Sequence, residues 1–173
     1  MKRLRELDEQ ITARLRVAER PGILRQLAIL FGHSGDSWFW LAGLLLAIWL
    51  GSQATRNLAY ALIIGILLTA GIVLVIKFSV RRQRPEGEWG QLYRRADPHS
   101  FPSGHAARAV MLSTVALALG PAWLAAMLAV WAPLVGLARV ATGLHYVSDV
   151  AAGWVLGIVM GIVTLQVAGM VLS

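Results

Sequence analysis

The sequence predicts an all-α integral membrane protein, a helical bundle of about five transmembrane helices preceded by amphipathic interfacial helices. Three observations carry that expectation. The 173 residues are 57% hydrophobic and only 14% charged, a composition that suits hydrocarbon and excludes disorder. The apolar residues gather into long runs joined by short polar links. The charges fall almost wholly at the ends of those runs. The length is that of one domain. Residues 1–173 are therefore read as a single membrane-embedded unit, with interfacial helices over 1–34 and a transmembrane core over 37–171.

The chain has no cysteine, so disulfides and thiolate metal sites are excluded. A net charge of +7 invites a nucleic-acid reading. No soluble basic surface remains once the apolar runs are removed, so the expected partners are membrane lipids, not nucleic acid.

Taken in order, residues 1–20 place Leu4, Leu7, Ile11 and Leu15 on one helical face, as an amphipathic helix lying on a membrane does. A plain solvated helix is the alternative for residues 1–9. Pro21 breaks that helix. Residues 22–31 are too short to span a bilayer and are read as a second interfacial helix, ended by the turn-like 33–36 segment. Span one covers 37–50, with Trp38, Trp40 and Trp49 as interface aromatics. Span two, 58–76, holds 19 uncharged residues and ends on Lys77. A long polar loop, 79–102, follows, of a length that is usually functional or disordered. Span three covers 104–119, span four 121–137, and a short loop of 138–147 leads to span five, 148–171. Gly153, Gly157 and Gly161 recur every four residues there, a spacing that lets helices approach closely, within the monomer or across a homo-oligomer.

With five spans, the candidate residues fall at one membrane face together with the amino terminus. Of the 16 Lys and Arg residues, only Arg56 lies at the other face. The positive-inside rule then places the clustered face in the cytoplasm, at the inner (plasma) membrane; were residues 22–31 part of a sixth span, the site would face outward.

Three polar clusters carry chemistry. Ser103-Gly104-His105 stands where a loop becomes a helix. Ser103 is a natural N-cap, the first-turn N–H groups form an anion site, and Gly104 lets a phosphate oxygen come close to the backbone. Lys77 and Arg84 are cations near a membrane boundary, where Lys77 alone also fits a snorkelling anchor. Arg81, Arg82, Arg94 and Arg95 are read as attracting lipid headgroups. Downstream stand Arg139, His145 and Asp149. His145 and Asp149 are four residues apart, on one face if the helix starts before His145. An Asp that fixes one imidazole nitrogen leaves the other as nucleophile, and Arg139 can bring a second guanidinium to a phosphate. His33 and His99 are left as loop residues, and Glu86 and Glu88 as the rim of the entrance. No metal or other cofactor is expected, since no histidine or carboxylate cluster has ligand spacing.

Lys77-x6-Arg84-Pro85, then Pro102-Ser103-Gly104-His105, then Arg139-x5-His145-x3-Asp149 closely resembles the three-part signature of the type-2 phosphatidic acid phosphatase superfamily, the membrane relatives of vanadium haloperoxidases. One departure is Ala138, where that family usually has Ser. A second is that the usual span before the core is reduced to interfacial helices. The resemblance implies a metal-independent membrane lipid phosphatase. In it His145 attacks phosphorus to give a phosphohistidine and Asp149 holds that ring. His105 protonates the leaving oxygen and then activates water. Lys77, Arg84, Ser103, Gly104 and Arg139 hold the phosphate oxygens. It also implies the substrate class: a polyprenyl phosphate or diphosphate, phosphatidylglycerol phosphate, phosphatidic acid or a phosphorylated prenyl-linked sugar. The alternatives are a catalytically silent lipid-phosphate-binding protein and a transporter. The first would be expected to lack one of His105, His145 and Asp149, and the second to carry its charges at mid-span.

Overall fold

The computed structural model describes residues 2–86 and 97–171. Seven α-helices are seen among these: Lys2–Leu15 (α1), Ile23–Ser34 (α2), Ser37–Leu50 (α3), Gln53–Val80 (α4), Gly104–Leu119 (α5), Ala122–Ala141 (α6) and Val147–Val171 (α7). A 3₁₀ turn at Val17–Glu19 joins α1 to α2. The fold is thus an all-α membrane bundle. α4, α6 and α7 are long and apolar enough to cross a membrane, while α3 and α5 are shorter apolar helices. At 14 and 16 residues these two reach about 21 and 24 Å, short of the ~30 Å hydrocarbon thickness.

The hub is α5, against which α4, α6 and α7 all pack. Its small residues make this possible: Ala106, Ala107 and Ala109 are wholly buried, as are Met111, Leu112 and Val115. The glycine stripe of α7 lies on the same helix. A Cβ at Gly153 would stand 2.7 Å from Ser103 O, and one at Gly157 2.5 Å from Ala107 O. At those distances only glycine lets the two backbones meet, and the stripe is filled within the monomer. The close α5–α7 seam matters for the site because it seats the start of α5 on α7.

Several boundaries differ from the sequence expectation. α6 runs through Ala141, so Arg139 projects from a last helical turn and not from a loop. α4 carries Lys77 inside its last turn and stops at Arg81, whose φ of 52° is left-handed. α2 extends to Ser34 and buries Ala28 and Gly32; Ala28 and Phe31 pack with Ala138 and Ala141 of α6, so the segment is partly a core element. Trp40 is not an interface aromatic: its indole N–H donates to Ser34 O at 2.9 Å and its ring packs on Trp131. Trp38 and Trp49 are exposed, as expected. α1 turns Leu4, Leu7, Ile11 and Leu15 outward. Its polar side instead grips the start of α7, where Asp8 accepts from Ser148 N–H at 3.0 Å and Thr12 from Val147 N–H at 3.1 Å.

Candidate active site

The sequence before each candidate residue explains its position. After Arg81 ends α4, the returning chain is pinned by Ser100 N–H on Arg82 O at 2.8 Å and by the Gln83–His99 bridge. Arg84 is thereby turned inward. Ser103 caps α5, its hydroxyl accepting from Ala106 N–H at 3.4 Å, while its own N–H donates to Asp149 O at 3.0 Å. Beyond Arg139, Gly143 takes a left-handed φ of 67° that a residue with a Cβ rarely adopts. The chain folds back there, and His145 N–H donates to Arg139 O at 3.2 Å. The imidazole then points at Arg84.

Six of the eight candidates line one cavity of about 630 Å³: Lys77, Arg84, Gly104, His105, Arg139 and His145. Ser103 and Asp149 stand behind it, both fully buried. Val73, Leu74, Ala70 and Trp38 form an apolar wall. Lys77, Arg84 and Arg139 are all buried, which brings three largely desolvated cations to the cavity wall.

In this arrangement the Asp97 carboxylate lies on the cations. It accepts from Lys77 Nζ and from Arg84 Nη2 at 2.9 Å, and the Asp97 carbonyl accepts from Arg84 Nε at 2.8 Å. Burial alone would raise the Asp97 carboxyl, but the bond to Lys77 and the charges of Lys77 and Arg84 outweigh it, and the group stays below the usual carboxylate range. An anion already occupies a place fit for a phosphate.

Arg84 Nη1 donates to Leu144 O at 2.7 Å and lies 3.1 Å from His145 Nε2. A guanidinium only donates, so Nε2 carries a lone pair and the ring proton sits on Nδ1. Burial, with the positive Arg84 and Arg139 nearby, depresses the His145 imidazole to about 4, although Asp149 pulls the other way. The ring is neutral at pH 7, with its Nε2 lone pair directed at Arg84 Nη1 on the cavity wall.

His145 and Asp149 do not share a helical face. α7 starts at Val147, and Asp149 Oδ2 reaches back to accept from Tyr146 N–H at 2.9 Å. His145 Nδ1 is 3.7 Å from Asp149 Oδ2, longer than a hydrogen bond. The firm side-chain partner of Asp149 is Arg82, whose Nη1 donates to Oδ1 at 2.7 Å. Nη2 of Arg82 donates to Asp8 at 2.7 Å, and the guanidinium lies 3.9 Å over the Tyr146 ring.

The profile of the PAP2 superfamily matches residues 57–172. The chain belongs to this superfamily. It is 32% identical over 169 residues to the decaprenylphosphoryl-5-phosphoribose phosphatase of Mycobacterium tuberculosis, across 95% of this chain and 91% of that one. It is 28% identical over 150 residues to the undecaprenyl-diphosphatase of Sulfolobus acidocaldarius, across 83% and 70%. The fold is that of the Bacillus subtilis transmembrane PAP2-type phosphatidylglycerolphosphate phosphatase, with a TM-score of 0.78 over 98% of this chain and 88% of that one at 22% identity. The protein is accordingly a membrane PAP2-type lipid phosphatase.

For this PAP2 protein, sequence reasoning missed four polar residues. Arg82 was expected among the headgroup arginines, and it instead joins Asp149 to Asp8. Asp8 lay inside a segment read only for its apolar face. Asp97 lay in an arginine-rich loop with no spacing to single it out. Asp36 belongs to the turn-like 33–36 segment, yet its Oδ1 lies 2.8 Å from His105 Nε2. His33, left as a loop residue, sits in the last turn of α2 and meets Asp36 at 3.1 Å. Arg94, Arg95 and Glu88 fall outside the described residues. Glu86 is exposed and lines the polar groove between α1 and the 81–86 segment.

Proposed function

We propose that this protein hydrolyses the phosphoester or diphosphate of a polyprenyl-linked lipid through a phosphohistidine on His145, without a metal. The observation that carries the reading is the convergence of Lys77, Arg84 and Arg139 with His145 and His105 on one cavity. Nε2 of His145 attacks phosphorus, the bond to the leaving oxygen breaks, and His105 gives that oxygen a proton. Water then attacks the phosphohistidine while His105 takes up its proton. Inorganic phosphate leaves and both histidines return to their first state. Lys77, Arg84, Arg139 and the Gly104 N–H stabilise the charge on the equatorial oxygens. Asp149, 3.7 Å from Nδ1, stabilises the positive charge that develops on the His145 ring, and Ser103 shapes the start of α5. The entering phosphate displaces the Asp97 carboxylate from Lys77 and Arg84.

The lipid tail leaves along the apolar wall of Ala70, Val73, Leu74 and Trp38, towards the bilayer beside α3 and α4, where Trp38 and Leu74 are exposed. A polyprenyl tail is favoured because two relatives are named for decaprenyl and undecaprenyl substrates. The whole chain acts as one unit of five spans, with α2 and α3 together making the first. The site faces the cytoplasm across the plasma membrane, following the excess of Lys and Arg at that end.

The test is phosphate release in detergent with excess chelator, from undecaprenyl diphosphate, a phosphorylated prenyl-linked sugar, phosphatidylglycerol phosphate and phosphatidic acid. The wild type is expected to release phosphate fastest from a prenyl lipid, and His145→Ala from none. Release that stops with chelator, or that persists in His145→Ala, would refute the mechanism.

A further inference from the structure

We propose that Asp36 is the positioning residue of His105, fixing the tautomer and orientation of the imidazole that protonates the leaving oxygen. The inference rests on the reaction proposed above, in which His105 is the acid. Asp36 lies ahead of residues 57–172, the part matched by the superfamily.

Asp36 stands at the N-cap of α3, where an aspartate normally accepts from the backbone of its own helix. Its side chain makes no such bond. Oδ1 instead meets His105 Nε2 at 2.8 Å, and Oδ2 meets His33 Nδ1 at 3.1 Å. Both carboxylate oxygens of Asp36 are thus engaged by imidazoles.

The helix that carries His105 also holds the Asp36 turn in place. Arg108, one turn further along α5, donates from Nε and Nη2 to Gly35 O at 3.0 and 2.6 Å, and from Nη1 to Ser37 Oγ. Residues on both sides of Asp36 are thus clamped by one buried arginine. A Cβ at Gly35 would come 2.9 Å from Val135 and 3.1 Å from the His105 ring, so the turn lies directly against the imidazole. Such a clamp exceeds what reversing the chain requires. It holds a carboxylate at a fixed distance from one nitrogen.

With Nε2–H donated to Asp36, the proton that moves is the one on Nδ1. It passes to the bridging oxygen as the phosphorus–oxygen bond breaks, and Nδ1 later accepts a proton from the attacking water. An aspartate in this role orients the ring and stabilises the imidazolium without itself being protonated.

A general acid matters only when the leaving group needs a proton. The experiment compares kcat/KM, which reads up to the first irreversible step, for undecaprenyl diphosphate or another turned-over lipid phosphate and for p-nitrophenyl phosphate, whose leaving group departs as an anion. Asp36→Asn is expected to lose about 100-fold on the lipid phosphate and under about threefold on p-nitrophenyl phosphate. Asp36→Glu, which keeps the carboxylate, is expected to recover at least about tenfold of the lipid activity. Equal losses on both substrates, or no loss on either, would overturn the proposal. So would Asp36→Glu behaving like Asp36→Asn. His105→Ala separates the two levels of the argument. If it shows the leaving-group dependence and Asp36→Asn does not, only Asp36 is wrongly assigned. If His105→Ala itself loses both activities equally, His105 is not the acid and the proposed reaction falls with it.

Discussion

The two histidines of the cavity receive their carboxylates in opposite ways. Asp149 is four residues from His145, yet the side chains stand 3.7 Å apart. Asp36 is 69 residues from His105, yet the contact is 2.8 Å. Nearness in sequence therefore does not measure closeness in the site. Asp149 is drawn away by the Tyr146 N–H and by Arg82, which uses it to tie the return of the α4 loop to α1 and α7. Asp36 has no comparable competitor beyond His33, and Arg108 clamps its backbone.

The largest expected effect breaks the pair outright. His145→Ala is predicted to lower kcat by at least about 10⁴-fold, roughly 5 kcal/mol of barrier, in a steady-state phosphate-release assay. His105→Ala is expected to retain measurable turnover on p-nitrophenyl phosphate.

Next, Arg139→Gln removes one of the buried cations and is predicted to cost about 10²- to 10³-fold in kcat. The same substitution sharpens the electrostatic argument. His145 acts as free base, and its imidazole is held down to about 4. The base form therefore persists as pH falls from 7 to 5 and is lost only near 4. In wild type the acid limb of kcat/KM, corrected for substrate ionisation, is expected near that value. In Arg139→Gln it is expected to move up, because one of the charges that disfavour the imidazolium is gone. A wild-type limb near 6.5 would show that the ring is solvated rather than buried.

Arg82→Gln leaves Asp8 and Asp149 facing one another without their shared cation. A loss of about tenfold in kcat is predicted, roughly 1.4 kcal/mol, together with a lower Tm in detergent. The smallest effect belongs to His33→Ala. His33 is largely exposed and, among the described residues, meets the site through Asp36, so kcat/KM is predicted to change by less than about threefold, a surface-pair effect.

What the sequence made legible follows the same division. Lys77, Arg84, His105, Arg139 and His145 were readable because fixed spacings place them beside helix ends, and the structure brings all five to one cavity. The membrane bundle was readable from apolar runs, since hydrocarbon admits little else. Helix ends were less so: α6 continues past Ala138 because its last turn packs on α2, a tertiary contact without a local signal. Asp36, Asp8, Arg82 and Asp97 were hidden for one reason. Each acts through a partner at least 13 residues away, the closest being Asp97 with Arg84. A charged residue in a turn or on a surface helix looks solvated until the fold supplies its counter-ion. Asp8 and Thr12 do carry a retrospective cue: four residues apart, they share one face of α1.

The central claim is that His145 carries the phosphoryl group. The most direct measurement is rapid acid-free denaturation of enzyme mixed with ³²P-labelled lipid phosphate, followed by peptide mapping of the base-stable, acid-labile label. Wild type is predicted to give a phosphohistidine at position 145 and His145→Ala none; with ³²P-labelled p-nitrophenyl phosphate, whose leaving group needs no acid, His105→Ala is predicted to hold more label than wild type because hydrolysis of the intermediate is slowed. Label on His105, or turnover with no covalent label in either protein under conditions that trap a control phosphohistidine, would contradict the account.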